Sequence, residues 1–481
     1  MIRARKSGLP PERLFSNMQV RPKVSTSSDA PTIFLVNQIS RHGHLDLYAR
    51  LYSACILDLG YRVVLIAEQE SGVREWIAEN CKHHLGKFFF FSRSQLHAPK
   101  VQGPLFSRIR RLWQEEGAWG LVLRIIQRGL YYLRFAYRQL EVAASALVSH
   151  YPLASRWLQS VLAHPGGVGF KPLVDEINIA ESLLGIRVAL VFFLYLDMID
   201  DDRRGCRYLA QRLHAPWAGI RFNPRCSGDD GRGPAELFFR CGNARGAAFL
   251  NPHSVPIYKR IFPALRFGDF PDVTDASVLP VGSPLVTRLR SAAGGRTIVL
   301  QVGSLTPHKG IMQLIEVIRR ADPNRFFFAI VGELFWDSFG SHEPELRRFV
   351  QNSPENCLVQ LGYIEDEREL NSIIAAADIL FAIYRDFRQS SNTLTKAAIF
   401  EKPIIVSDQH LMGERVRRYH LGAKVEFGNV EGIIAALEVL RQRRPDEFGF
   451  AAYCRDHCVE ALKRNLAPLL EQWLQAPRPV V

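Results

Sequence analysis

The sequence predicts two doubly wound α/β domains in series, each built on a parallel sheet. Three observations lead there. Residues 32–67 read strand, loop, helix, strand within 36 residues, the opening unit of such a domain. The same alternation restarts at Thr297, beyond a proline-bearing linker, and continues to Arg441. The chain has 481 residues, and at roughly 100–200 residues per domain it has length for two large ones.

The elements follow from local pattern. Thr32–Asn37 (TIFLVN) is a short apolar run, the mark of a buried strand. Leu45–Leu59 has helical apolar spacing, and Gly60 supplies its stop. Arg62–Ala67 and Lys87–Phe91 are expected strands. Residues 101–164 are rich in Leu, Arg, Trp and Tyr and read as a helical insertion in the first domain. Leu173–Leu184 is an expected helix, Val188–Leu196 a central strand, Asp200–Leu213 a helix and Trp217–Phe222 a strand. Phe249–Leu250 and Asn251–Phe262 suggest a strand and a helix. Asp269–Pro284 carries Pro271, Pro280 and Pro284 and reads as the linker.

In the second half, strands are expected at Thr297–Val302, Phe326–Val331, Cys357–Leu361, Ile379–Ile383 and Pro403–Ser407. Helices are expected at Ile311–Arg320, Glu343–Gln351, Glu367–Ala376, Thr393–Phe400 and Val430–Arg441. No short repeat period interrupts the pattern. The domain boundaries read as a basic leader without ordered structure over 1–28, a first domain over 29–275 and a second over 285–445.

Composition excludes several classes. Hydrophobic residues make up 47% and charged residues 23%, which rules out a disordered or collagen-like chain. The 8 cysteines are too sparse for a disulfide framework and form no Cys-x-x-Cys, so reduced thiols and no structural zinc are expected. Residues 1–23 are basic but have no apolar core behind them, unlike a signal peptide. The best apolar run, Val188–Leu196, is far short of the roughly 20 residues a bilayer needs. A cytoplasmic protein is expected, with peripheral association on the inner face of the cell membrane left open.

The charge is uneven. The net charge is +13, and residues 1–24 and 101–164 each contribute +5 of it. A local excess of this kind suits a surface that meets phosphate. Arg124, Arg128, Arg134 and Arg138 fall within about 120° on an ideal helix, with apolar residues mostly opposite. Two readings stand: docking on an anionic membrane surface, or a helix packed on its own domain with its arginines in solvent. Nucleic acid is not an expected partner, since no matching motif occurs.

Ligands of open α/β sheets bind outside the carboxyl ends of the strands, and that rule selects four loops. Gly303–Gly310 (GSLTPHKG) leads into a helix, with Lys309 placed to neutralise a phosphate. Residues 389–396 (QSSNTLTK) put Ser390, Ser391, Asn392 and Thr393 at a helix start, beside Arg388 and Lys396. One such residue is enough for capping; four suggest a cradle for a diphosphate. Residues 39–44 (ISRHGH) hold His42, Gly43 and His44, suited to a polar acceptor or to proton transfer near neutral pH. Asp197 is a weak candidate for acceptor contact, whereas Asp200–Asp202 fit a helix N-terminus better than a metal site. No metal is expected, and no cofactor.

Six stretches then occur in order: VGSLTPHKG at 302–310, AIVGE at 329–333, LGYIEDEREL at 361–370, AAADILFAIY at 375–384, KAAIFEKPIIVSD at 396–408 and YHLGAKV at 419–425. Together they resemble the nucleotide-sugar half of the GT-B glycosyltransferases, the glycogen-synthase-like retaining group (family 4, group 1 type). The resemblance covers about residues 295–440; the first half is similar only in outline. It implies two Rossmann-like domains facing across a cleft, and a C-terminal segment, 446–481, whose helix (about Tyr453–Leu474) returns to the first domain. It implies a nucleotide-sugar donor on the second domain and a glycan or lipid-linked acceptor on the first, near Gly43 and His44. Lys309 matches the family's phosphate-contacting lysine, with Gly303 and Ser304 in the same loop. Residues 388–396 match the donor-diphosphate loop, and Gly362 and Tyr363 the nucleotide-base region. No catalytic residue is assigned beyond the weak candidates His42, His44 and Asp197.

Two departures stand out. Ser304 occupies a position where the family places a basic residue, and Arg388 and Lys396 stand where it places a pair of glutamates. The first expectation is that the Ser/Asn-rich loop substitutes for them in a sugar transferase. The alternative is a non-catalytic protein of the same fold that docks on a membrane or a partner.

Overall fold

The computed structural model describes residues 30–38, 44–67, 72–96, 169–226 and 236–475. The leader 1–28, the basic insertion 101–164, and His42 and Gly43 lie outside the described residues.

The first domain opens with β1 (Thr32–Val36), α1 (His44–Asp58), β2 (Arg62–Ala67), α2 (Val73–Asn80), β3 (Phe88–Ser92) and the short α3 (Arg93–Leu96). It continues with α4 (Phe170–Leu184), β4 (Leu190–Phe193), α5 (Arg203–Arg212), β5 (Trp217–Arg221), β6 (Ala244–Phe249), α6 (Ser254–Ile261) and β7 (Arg266–Asp269). Its seven strands run in the order β3-β2-β1-β4-β5-β6-β7, every neighbouring pair parallel. β1 and β4 are buried along their whole length, which is why both read as unbroken apolar runs.

The second domain holds α7 (Pro284–Ala293), β8 (Thr297–Val302), α8 (Ile311–Arg320), β9 (Phe326–Gly332), α9 (Glu343–Gln351) and β10 (Cys357–Leu361). Next come α10 (Glu367–Ala376), β11 (Ile379–Ala382), α11 (Asn392–Ile399), β12 (Ile404–Ser407), α12 (His410–Tyr419), β13 (Gly422–Val425) and α13 (Val430–Gln442). Its six strands run β10-β9-β8-β11-β12-β13, again all parallel. In each sheet the chain reverses direction beside its first strand, so β1/β4 and β8/β11 are the switch points where ligands collect.

The chain ends in α14 (Phe450–Asp456) and α15 (Val459–Gln475), with a break at His457–Cys458 where one helix was expected. The two pieces serve different cores. Phe450 and Tyr453 pack into the second domain. Leu462, Leu466, Leu469, Leu470 and Trp473 pack with β1 and β4 of the first. Trp473 Nε1 donates to the Arg266 carbonyl at 2.9 Å, and Lys463 pairs with Asp58.

Pattern reading missed six elements and shifted one. α2, α3, β7, α7, α12 and β13 were absent from it, and Phe249 is only the end of the six-residue β6. β6 and β13 hold Gly, Ala, Arg and Lys rather than an apolar run. Their partners β5 and β12 supply the ladder that their own side chains do not announce. The expected linker also begins inside a strand, because Asp269 ends β7.

Segment 270–283 ties the two domains together. Asp272 N–H donates to His457 Nδ1 at 3.2 Å, and Tyr48 O–H donates to Asp272 Oδ1 at 3.1 Å. Asn371 Nδ2, on α10, donates to the carbonyls of Asp275 at 3.0 Å and Ser277 at 2.8 Å. The linker is therefore held on both sides, which its proline content alone does not specify.

Candidate functional site

The expected phosphate loop, 303–310, leaves β8, and the expected diphosphate loop, 389–396, follows β11 beside it, its second half forming the start of α11. Gly310 makes their approach possible. It has φ 71°, and a Cβ there would meet the Ile383 carbonyl oxygen at 2.1 Å. Arg385 N–H donates to the His308 carbonyl at 2.7 Å, and Gln301 Nε2 donates to the Lys309 carbonyl at 2.6 Å. The backbone around Lys309 is thus clamped from both strands.

The Lys309 ammonium lies over the backbone of Gly303, 3.8 Å from where a Cβ would project, and 5.2 Å from the centre of the Tyr384 ring. Lys309 is half-buried, and no described carboxylate is within ion-pair distance of it. A cation held in place without a counter-charge at a switch point is suited to an anion supplied by a ligand. Ser304, in the same loop, is exposed.

The start of α11 adds hydroxyls. Ser391 caps the helix, accepting the Thr393 N–H at 3.4 Å, and its hydroxyl donates to Thr393 Oγ1 at 3.2 Å. Tyr384 O–H donates to Thr393 Oγ1 at 3.5 Å. Ser390 is 5% exposed, and its hydroxyl has no hydrogen-bond partner among the described residues. The Gln389 side-chain oxygen beside it is likewise buried and unpartnered.

Three expected site residues do other work. Lys396 is 1% exposed and its ammonium is bonded to Glu367 and Asn371 of α10, so it is not turned to the loop as a phosphate contact. Burial pushes its pKa down, opposed by Glu367. Asn392 reaches the interdomain linker instead: its Oδ1 accepts from Thr274 Oγ1 at 3.0 Å and its Nδ2 donates to the Val273 carbonyl at 3.2 Å. Asp197 accepts the backbone N–H groups of Phe222 at 2.8 Å and Asn223 at 2.7 Å, one on each oxygen. Its carboxylate shapes the loop after β5. Asp201 and Asp202 are also structural, accepting from Leu237 and Phe238 and from Arg204 and Gly205 respectively.

Arg388 is exposed and beside the first domain, its carbonyl accepting from Asn251 Nδ2 at 3.3 Å. Gly362 and Tyr363 are exposed at the end of β10. Tyr363 borders a cleft of about 1040 Å³ whose far wall is α1 and α2, with Arg50 and Trp76. Arg368, Glu333 and Asp366 line the near wall. α2 and Glu367 were not foreseen as part of this region; the Glu-rich 365–369 run was the available signal, and it reads first as a favourable helix start. His44 begins α1 at the opposite switch point, and its side chain lies outside the described residues.

Residues 296–443 match the family Glycosyl transferases group 1. The matched segment lies within the second domain and covers about a third of the chain. No curated protein sequence matches the chain. Solved structures do, over both domains and at low identity. Sucrose-phosphate synthase from Thermosynechococcus elongatus is 13% identical, with TM-score 0.57 over 93% of this chain and 100% of that one. HepE of Anabaena, in complex with UDP and glucose, is 12% identical, with TM-score 0.52 over 92% and 99%. An alpha,alpha-trehalose-phosphate synthase (UDP-forming) from Burkholderia vietnamiensis is 11% identical, with TM-score 0.51 over 92% and 99%. The fold is GT-B: two Rossmann-like domains, the second of them holding the segment that matches group 1.

Among the described residues, the one group with metal-ligand spacing is Asp58, His83 and His84, on the surface away from both switch points. Lys463 and His84 already occupy the Asp58 carboxylate. No described helix is long and apolar enough to cross a membrane.

Proposed function

We propose that the protein transfers a sugar from a nucleotide-diphosphate donor to an acceptor hydroxyl. The observation that carries this reading is the Lys309 ammonium, set over Gly303 and the Tyr384 ring with no described carboxylate in ion-pair distance, where the Tyr384 hydroxyl in turn reaches Thr393 at the start of α11. In this reading Lys309, Gly303, Ser304, Ser390, Ser391 and Thr393 hold the diphosphate, and Arg388 closes it from the domain seam. Gly362 and Tyr363 flank the nucleotide base. The first domain presents the acceptor, a glycan or a lipid-linked molecule, around Gly43 and His44.

Charge builds on the diphosphate as the glycosidic bond breaks. Lys309 and the free N–H groups at the start of α11 would stabilise that charge, a purely electrostatic contribution that asks for no divalent ion. Retention of the anomeric configuration follows from the family resemblance. A thermal-shift screen with UDP-, GDP-, ADP-, TDP- and CMP-sugars tests the reading. A ligand at 100 times its dissociation constant stabilises the native state by about 2.7 kcal/mol. A shift with one nucleotide, lost in Lys309→Ala, is expected; no shift with any of them overturns it.

One observation favours a second reading. Where the family places two glutamates, this chain has Arg388 and the buried Lys396, and the Lys396 ammonium is committed to Glu367. A GT-B protein that binds without turnover would carry such a change at no cost. Nucleotide binding without sugar transfer to any acceptor in cell extract would select it.

A further inference from the structure

A second cavity, of about 290 Å³, lies at the seam between the domains and is lined by no residue of the donor loops. α12 forms one side, the end of β7 another, and the α14–α15 junction the third. Three arginines line it: Arg415 and Arg418 from α12, and Arg464 from α15.

Arg415 is 7% exposed. Its Nη2 donates to the Leu250 carbonyl at 3.3 Å and its guanidinium also neighbours the Tyr453 hydroxyl, whereas its Nη1 is buried with no hydrogen-bond partner among the described residues. A guanidinium removed from water with an idle donor carries a desolvation cost that an incoming anion would relieve. Arg418 and Arg464 are exposed at the mouth. Arg418 lies over the Tyr419 ring, and Arg464 Nη2 donates to the Arg455 carbonyl at 3.4 Å. No described carboxylate is within ion-pair distance of any of the three arginines.

Three carboxylates also line the cavity, each hydrogen-bonded to a residue other than these arginines. Glu414 meets His253 Nε2 at 2.7 Å, Asp456 accepts the Tyr419 hydroxyl at 2.7 Å, and Asp269 accepts from Asn465 Nδ2 at 3.5 Å. His457, at the floor, accepts the Asp272 N–H at Nδ1. Burial, and then the charges of Arg415 and Arg418, push its pKa down to about 3. The imidazole at the floor is therefore neutral, and the three arginines share the cavity with three carboxylates, Arg415 being the one of these six charged side chains that is buried.

We propose that this seam cavity binds the phosphate group of a small anionic ligand, with Arg415 as its buried anchor and Arg418 and Arg464 closing over it. α12 belongs to the second domain and α15 packs on the first, so a bound phosphate bridges the two and restrains their relative motion. The site is separate from the donor loops and does not depend on the sugar-transfer reading.

The test is calorimetric titration of inorganic phosphate, and separately of a hexose phosphate, at constant ionic strength. Lys309→Ala protein is used so that the donor loop does not contribute. One phosphate per chain is expected, and Arg418→Gln/Arg464→Gln, a surface double variant, should bind at least about tenfold more weakly. Arg415→Met should abolish binding and is compared at matched folded fraction. Tighter binding of the hexose phosphate identifies a phosphorylated metabolite as the ligand; equal binding identifies free phosphate. Absence of binding, or binding unchanged in the double variant, overturns the proposal. Failure of the donor reading would look different, with nucleotide binding insensitive to Lys309→Ala while phosphate binding persists at the seam.

Discussion

The ammonium of Lys396 sits on the carboxylate of Glu367, joining α11 to α10 in a pair whose lysine end is almost completely buried. Asn371 completes the shell from one turn further along α10, and also holds the linker carbonyls of Asp275 and Ser277. The pair thus links the donor-loop helix to the segment on which the domains are joined.

Removing one partner of such a pair is costlier than removing both. Lys396→Ala should destabilise the second domain by about 3 kcal/mol, because Glu367 loses its counter-charge at the edge of the core. Lys396→Met, which fills the space, paired with Glu367→Gln should recover most of that loss. Chemical denaturation of the four proteins decides it; additive losses would mean the two residues do not interact.

Lys309→Ala should lower turnover by about 100-fold or more, with the melting temperature unchanged. Its side chain contacts a ring face and a glycine and has no ion pair to lose, so folding does not depend on it. Lys309→Arg should retain part of the activity. Steady-state rates on the donor identified by thermal shift are the measurement.

Gly310→Ala should cost about 2 kcal/mol or more and reduce donor binding as well. The new methyl would press on the Ile383 carbonyl, and the residue would be forced to hold a left-handed backbone. Gly60→Ala offers a control, since its Cβ would meet nothing within 4 Å although its φ is also positive, at 95°. A larger loss of stability and of donor affinity at 310 than at 60 is the expected outcome.

His457 gives the fold an acid sensitivity. Its folded pKa is depressed from 6.5 to about 3. The unfolded chain therefore takes up a proton first as pH falls. Its contribution to stability is fully present above about pH 6.5 and declines by about 1.4 kcal/mol per pH unit down to about pH 3. The groups facing it are the Tyr453 ring stacked at 4.0 Å, the Tyr419 ring at 6.1 Å, and the Arg415 and Arg418 charges; Asp272 donates a backbone N–H to it. Asp456, next in sequence on α14, is bonded to Tyr419, and Arg464 lines the same cavity from α15. In His457→Gln the slope of unfolding free energy between pH 6.5 and 4 should flatten. An unchanged slope would place the acid sensitivity in other groups.

What could be read from the chain alone was whatever depends on local pattern. Strands buried on both faces are apolar throughout, so β1, β2, β8 and β9 were legible with their bounds nearly correct. The helices following β8, β9 and β10 were legible for the same local reason, and the fold class followed from their alternation. The loops at the strand ends were also legible, because the switch-point rule needs only strand order. Tertiary structure alone decided the rest. β6 and β13 take their strand character from a neighbour's ladder. Lys396 and Asn392 looked like ligand contacts because their residue types suit a phosphate, but a side chain's direction is set by what packs around its backbone. Here Glu367 and Asn371 draw Lys396 inward, and Thr274 and Val273 take Asn392. Arg415 lies on α12, His457 in the break after α14 and Arg464 on α15, and only the meeting of α12 with this C-terminal segment places them around one cavity.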